Sequence, residues 1–159
     1  MKRSVGFILT MLVISWAFTA SAQDNQADNM KLVVEKIRAD KRLFIAKNMQ
    51  LTSDEEKTFW PIYDKYQEEL FLLRARTKNM INDYAKAYKK KMTNDIAKSL
   101  INEYMTIERL GLKLRKRYLS KFRKVLSDVK VMRYYQIENK IEAAQYYELA
   151  KKIPLVKER

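Results

Sequence analysis

Two long segments of the chain carry apolar residues at alternating spacings of four and three. The first series is Phe59, Tyr63, Tyr66, Leu70, Leu73, Thr77, Met80, Tyr84 and Ala87. The second is Ile96, Leu100, Tyr104, Ile107, Gly111, Leu114, Tyr118 and Val125. This spacing is typical of helices that pack lengthwise against each other. It predicts helices over residues 53–90 and 94–126, the second capped by Thr93, folded back as an antiparallel hairpin whose tip is residues 91–93. Glycine is costly inside a helix, so we expect Gly111 to allow a close approach or a bend.

The stretch Leu51 to Tyr63 has the features of a helix start. The Thr52 hydroxyl is a suitable N-cap acceptor, and Glu55, three residues later, completes a capping box. Trp60 and its neighbours then form an apolar and aromatic patch. Pro61 cannot donate a backbone hydrogen bond, so we predict a kink in the helix between residues 57 and 61. We assign these residues a structural role.

Shorter apolar patterns predict two further helices. One runs over about residues 29–48, and the other begins at a cap on Ser127 or Asp128 and ends near residue 152, before Pro154. The chain has only two glycines and two prolines, too little turn chemistry for many hairpins or a sandwich. The prediction is an all-α fold of four helices, built on a long, kinked, antiparallel helical hairpin.

The N-terminus has the pattern of an export signal. Lys2 and Arg3 precede an apolar run over residues 5–18, and Ala20-Ser21-Ala22 fits a cleavage site of small residues. The alternative is an uncleaved anchor, although the run is short for a bilayer span of about 20 residues. We predict a signal peptide over residues 1–22, a flexible start over 23–28 and a single helical domain over 29–156. The mature protein, beginning at Gln23, is expected to be soluble in the periplasm or outside the cell.

Composition narrows the chemistry. The net charge is +14, and it falls to +12 when Lys2 and Arg3 are removed with the signal peptide. The chain has no histidine and no cysteine, so the usual acid–base groups, thiol nucleophiles and transition-metal ligands are missing. No glycine-rich phosphate loop is present either. We therefore expect a protein that is not an enzyme and that uses no metal and no cofactor.

A basic run over residues 113–124 is the main candidate for a binding surface. The hairpin brings the basic residues of positions 74–78 near its N-terminal end, where acidic residues are too few to balance the charge. Partly exposed tyrosines on the last helix would add an adaptable apolar surface. The candidate residues for binding a client or partner are Arg74, Arg76, Lys78, Lys113, Arg115, Lys116, Tyr134 and Tyr146.

Such a basic run has several interpretations. Its default role is a solvated face that pairs with the acidic residues of the second helix. Nucleic acid is a common partner of basic surfaces, but the export signal argues against it. An anionic membrane surface or lipopolysaccharide is another alternative. The remaining interpretation is a site for protein clients or for one signalling partner.

Several motifs carry a resemblance to a known family. The pattern Leu51-Thr52-x-x-Glu55 resembles the LTxxQ motif of the Spy/CpxP-like periplasmic proteins, with glutamate in place of glutamine. The run from Phe59 to Tyr63, residues 133–141 and the sequence Ile153-Pro154-Leu155-Val156 resemble small secreted helical proteins of the same broad family. The similarity covers about residues 29–156. A second LTxxQ motif near the C-terminus is replaced by Leu126-Ser127-Asp128-Val129-Lys130.

The resemblance implies two functions of different kinds. The first is an ATP-independent chaperone-like protein of the envelope stress response, in the form of a homodimer, that holds unfolded or acidic envelope proteins. The second is a regulatory subunit that docks on a periplasmic stress sensor or an anti-sigma system. A chaperone should bind many clients weakly, whereas a regulator should bind one acidic partner tightly.

Overall fold

The computed structural model describes residues 38–157, and within that range it is helical, with no strand. The helices are α1 (described over residues 38–49), α2 (Ser53–Lys89), α3 (Asn94–Phe122) and α4 (Asp128–Ala150). The predicted all-α fold of four helices is confirmed. The predicted signal peptide, residues 23–28 and the first turns of the first helix lie outside the described residues. No helix within residues 38–157 is long and apolar enough to span a membrane.

The chain divides within α1 into two compact units, Met1–Phe44 and Ile45–Arg159. The described part of the first unit is the helical segment 38–44. The second unit holds the end of α1 and all of α2, α3 and α4. The single domain over residues 29–156 therefore stays a prediction.

The capping box that the sequence predicts at the start of α2 is confirmed. The Thr52 Oγ1 atom accepts from the Glu55 N–H at 3.3 Å, and Glu55 Oε2 accepts from the Thr52 N–H at 2.8 Å. Glu55 also forms an ion pair with Lys130 of α4. Within this ion pair, Lys130 Nζ donates a hydrogen bond to Glu55 Oε2, which is the main cause of the lowered pKa of Glu55. α2 continues through Pro61, and the kink there stays a prediction.

The other two predicted caps are also present. Thr93 caps α3 and Ser127 caps α4, each accepting from the backbone N–H three residues later. α3 ends at Phe122, four residues earlier than the periodicity indicates. The N–H groups of Val125 and Leu126 both return to the Phe122 carbonyl, forming a tight turn that reverses the chain. Leu126 is buried in this turn, just before the Ser127 cap. An apolar residue that fits the helical pattern therefore belongs to the connection between α3 and α4.

An aromatic core joins the first half of α2, the second half of α3 and the first half of α4. Its members are at most 2% exposed: Phe59, Tyr63, Tyr66, Tyr118, Phe122 and Tyr134. The Phe122 and Tyr134 ring centroids lie 4.6 Å apart, and those of Tyr66 and Tyr118 lie 5.1 Å apart. Ile45 and Met49 of α1 pack into the same cluster. This core fixes the base of the hairpin.

Contacts between α2 and α3 continue from this core toward the tip. Tyr66 faces Tyr118, and Leu73 faces Gly111; in each pair the two positions are equally distant in sequence from residue 92. A Cβ atom on Gly111 would lie 3.5 Å from Leu73 Cδ2, which is an ordinary van der Waals contact. The helices therefore leave room for a methyl group there, and the packing does not require glycine.

Candidate functional site

The structure divides the predicted basic site between two faces of the hairpin. Successive helical residues point about 100° apart, so residues two apart face nearly opposite directions. Arg74 and Arg115 point toward α4, where both reach Glu142: the N–O distances are 3.6 Å and 3.4 Å. Arg76 and Lys113 instead line a groove on another side of the same two helices.

On the α4 side, one carboxylate serves two arginines. Glu142 lies between Arg74 and Arg115 and compensates one of their two charges, so the expectation that neither arginine has an acidic partner was wrong. Hairpin register alone missed this pairing because Glu142 belongs to α4. Tyr146 lies nearby and is 56% exposed. Burial of the rest of its ring, followed by the charge of Glu142, raises its pKa. Lys78 is exposed, with no ion pair within the described residues.

We call the other site the α2/α3 groove. It has a volume of about 380 Å³, an apolar floor and a mostly basic rim. The floor is formed by Leu72, Leu73, Leu110 and Leu114, and the rim by Glu69, Arg76, Lys113 and Arg117. Leu72 is 69% exposed although it lies beside the buried seam of α2. An exposed leucine between cations offers both apolar contact and charge to a ligand.

Two ion pairs hold the rim in place. Arg76 binds Glu103 through two hydrogen bonds, one of which joins Nη2 to Oε2 at 2.7 Å. This pairing raises the pKa of Arg76 and lowers that of Glu103, so Arg76 was wrongly expected to be uncompensated. At the other end, Glu69 pairs with Arg117 and accepts a hydrogen bond of 2.7 Å from the Tyr118 hydroxyl. Burial and this bond raise the pKa of Tyr118 to about 12.

The unpaired positive charge of the rim lies at Lys113 of α3. Lys113 and Lys116 are exposed and form no ion pair within residues 38–157. They are three residues apart, and therefore lie on one face of the helix, although Lys116 does not line the groove. Of the residues predicted for binding, Lys113 is the unpaired cation that lies beside the exposed Leu72 in the groove.

The remaining predicted residues separate into core and surface positions. Tyr134 is fully buried against Phe59 and Phe122, so a binding role is corrected to a core role. The first of two adjacent tyrosines fits the core pattern of α4, which explains the burial. Leu51 and Trp60 are partly buried against the core, as their structural assignment predicts.

Sequence reasoning missed the floor of the groove. Leu72 and Leu110 lie outside the predicted seams, and a seam analysis assigns such residues to a solvated face. The sequence does contain a signal, the apolar run Leu70-Phe71-Leu72-Leu73. Four consecutive apolar residues point in different directions around a helix, so one buried face cannot cover them all. Exposed apolar residues of this kind mark interaction surfaces when they adjoin one another.

The groove combines apolar and cationic side chains, which together can contact a ligand. Every buried side-chain nitrogen or oxygen in the described part of the chain has a hydrogen-bond partner. No group of three or more acidic residues that could hold a metal ion occurs there. No protein-family model, curated protein or solved structure matches this chain. The resemblance to the Spy/CpxP-like proteins stays a hypothesis that depends on the motif residues themselves.

Proposed function

We propose that this protein is an ATP-independent, chaperone-like protein of the periplasm that holds unfolded envelope proteins in the α2/α3 groove. The observation that carries the proposal is the exposed Leu72 of the groove floor next to the unpaired Lys113, with Lys116 on the same face of α3. Unfolded chains expose apolar side chains that a folded protein hides, and the floor offers them a complementary surface. The resemblance of residues 51–63 to the LTxxQ family supports the same function.

Charge and apolar contact have different parts in the proposed binding. The field of Lys113 and Lys116 extends over a Debye length of about 8 Å at physiological salt, so it speeds the approach of acidic clients. Contact with Leu72 then slows their release. Complete burial of one leucine contributes about 1.5–3 kcal/mol, so a groove of this size binds weakly and reversibly. Weak binding suits a protein that must release clients without ATP.

The proposal requires export. The motif Ala20-Ser21-Ala22 predicts cleavage after Ala22, and the mature chain should begin at Gln23. N-terminal sequencing of protein isolated from the cell envelope tests this step. An intact Met1 on that protein would contradict the signal-peptide interpretation.

Light scattering of an aggregating client protein tests the groove. Leu72→Ser should weaken protection at low and high salt, since it removes apolar contact. The combined variant Lys113→Glu and Lys116→Glu should slow capture mainly at low salt, since salt screens exposed charges. Circular dichroism should show unchanged helicity in both variants.

Matched controls separate the groove from general effects. Leu43→Ser makes the same change at a leucine that is 70% exposed, against 69% for Leu72. Lys98→Glu with Lys140→Glu makes the same charge change at exposed positions outside the groove. Both controls should protect the client as the parent protein does. If the groove variants protect as well as their controls at both salt concentrations, the α2/α3 groove is not the client site.

A regulatory subunit gives a different result in the same experiments. It would protect no client from aggregation and would form one saturable complex with a single acidic envelope protein. Capture from an envelope extract, followed by titration of the captured protein, distinguishes this outcome from weak binding of many clients.

A further inference from the structure

An apolar pocket of about 280 Å³ lies at the tip of the hairpin, apart from the α2/α3 groove. The end of α2 and the start of α3 supply most of its wall, including Met80, Tyr84 and Leu100, and Met92 of the connection lines it as well. All of its lining residues are apolar or aromatic. The core cluster does not include this pocket, so filling it is not part of the packing at the base of the hairpin.

The C-terminal strap, residues 151–157, closes one side of this pocket. Ile153 and Val156 line it, and the Tyr84 hydroxyl donates a hydrogen bond of 2.6 Å to the Pro154 carbonyl oxygen. The sequence Ile153-Pro154-Leu155-Val156 had no role in the proposed function. In the structure it forms a wall of the pocket.

A basic cavity of about 520 Å³ adjoins the apolar pocket. Lys90, Lys91 and Lys157 line it together with Tyr88, and Met92 and Val156 line both spaces. The two spaces therefore adjoin each other at Met92 and Val156. Lys90 and Lys91 are exposed and form no ion pair within the described residues, whereas Lys157 Nζ lies 6.0 Å from the centroid of the Tyr88 ring.

We propose that these two spaces form one binding site for a single-chain anionic amphiphile. The hydrocarbon chain occupies the apolar pocket, and a carboxylate or phosphate headgroup lies among the three lysines. Together the spaces have the size of small-molecule sites, which measure about 300–1,000 Å³. This inference goes beyond the proposed chaperone function and does not depend on it.

The chemistry of the site favours this class of ligand over the alternatives. A polar ligand would find no hydrogen-bonding partner in the apolar pocket and would lose its hydration there. A neutral apolar ligand would leave the lysines without a partner. A flat anionic membrane would contact the lysines but leave the pocket between α2, α3 and the strap unfilled.

Methionine methyl groups provide built-in probes for the test. Met80 and Met92 line the pocket, Met49 lies in the core, and Met105 and Met132 are exposed elsewhere. Decanoate, titrated below its micelle concentration into protein with labelled methionine methyls, should shift the Met80 and Met92 signals in a saturable way. The other three signals should stay in place. Equal shifts at Met105 and Met132 would indicate nonspecific adsorption and would overturn the proposal.

Ligand variants test the headgroup. Decyl phosphate should bind as decanoate does, whereas decanol and decyltrimethylammonium should bind far more weakly. If the cationic amphiphile binds as tightly as decanoate, the lysines do not select the ligand and the proposal is wrong. Binding to anionic vesicles without any binding of the soluble amphiphiles would also overturn it, in favour of a membrane contact.

Protein variants test the two parts of the site by calorimetry. Lys90→Gln with Lys91→Gln should weaken decanoate binding about 25-fold, since each lysine near an anionic group contributes about fivefold. Lys124→Gln with Lys140→Gln, at exposed lysines outside the site, should leave the affinity unchanged. If both double variants lose the same decanoate affinity, the loss comes from the lower overall charge of the protein, which contradicts the proposal.

Ala97→Phe places a ring inside the apolar pocket, of which Ala97 is part of the lining. It should abolish binding while helicity is kept, and undiminished binding would contradict the pocket assignment. If this variant does not fold, the shifts of the Met80 and Met92 methyl groups in the parent protein decide the same question.

Discussion

Phe122→Ala tests whether the aromatic core holds the helices together. The Phe122 side chain is fully buried, and its ring lies 4.6 Å from that of Tyr134 and 5.5 Å from that of Phe59. Loss of the buried ring removes about 1.5–3 kcal/mol of transfer free energy. The two closest aromatic pairs add about 0.5–1.5 kcal/mol each. The expected loss in the free energy of unfolding is about 3–5 kcal/mol, as for other buried phenylalanines.

Urea unfolding followed by Trp60 fluorescence measures this loss directly. Trp60 is suited to the assay because its ring lies 5.0 Å from that of Phe59, beside the core. In thermal unfolding, the same loss should lower Tm by about 10–20 °C for a domain of this size. Phe71→Ala is the matched control, since Phe71 is 41% exposed on α2, and its loss should be about 1 kcal/mol.

The comparison has a clear negative outcome. If Phe122→Ala and Phe71→Ala destabilise the protein equally, the aromatic core does not form as described. A loss below about 1.5 kcal/mol for Phe122→Ala would lead to the same conclusion. Removal of a fully buried ring costs its transfer free energy and, in addition, the free energy of the cavity that remains.

Four further predictions test local features of the structure. Thr52→Ala should cost about 1 kcal/mol and Thr52→Ser almost nothing; equal losses in urea unfolding would mean that the hydroxyl is not the cap. Gln50, exposed at φ 52°, adopts the left-handed conformation that favours glycine, so Gln50→Gly should raise the free energy of unfolding by about 0.5–1 kcal/mol. A lower urea midpoint for this variant would count against the strain. Gly111→Ala should stabilise by up to about 1 kcal/mol, since the helix has space for the methyl group, and a loss would show that the approach is closer than described. The ion pair with Arg76 lowers the pKa of Glu103, so it stabilises the fold above the ordinary carboxyl pKa and loses this effect as the pH falls through the lowered value. Glu103→Gln should therefore be less stable than the parent at pH 7 and closer to it at pH 3; a gap that stays constant between these pH values would refute the linkage.

The helices could be predicted from the sequence because their signals are local. The seam of α2 includes Phe59, Tyr63, Tyr66 and Leu70, and all four are buried. The hydroxyl caps at Thr52, Thr93 and Ser127 act within one helical turn, and all three form as predicted. Periodicity and capping need no knowledge of the rest of the molecule, so they are reliable from one sequence.

The end of α3 was harder to predict from the sequence because two local preferences compete there. Val125 and Leu126 continue the apolar pattern of a helix, yet the chain must reverse before the Ser127 cap. Burial of Leu126 in the core, together with the bonds to the Phe122 carbonyl, favours the turn. Such a boundary is decided by packing between helices, which the periodicity of a single helix does not describe.

The division of the basic site into two faces depends on α4, which packs against the hairpin of α2 and α3. The hairpin register predicts that residues 74–78 lie near the N-terminal end of the basic run, but it gives no information on what covers Arg74 and Arg115. Glu142 of α4 lies against both, whereas Lys113 and Lys116 of α3 form no ion pair within residues 38–157. Lys113 lines the groove together with the exposed Leu72, so the packing of α4 partly compensates the charge of one face and leaves the other face as the proposed binding surface. Glu142→Gln therefore provides a direct test of the argument: it should restore free charge at Arg74 and Arg115, yet leave client protection by the α2/α3 groove unchanged. Increased capture of acidic clients by this variant would mean that the α4 side also takes part in binding.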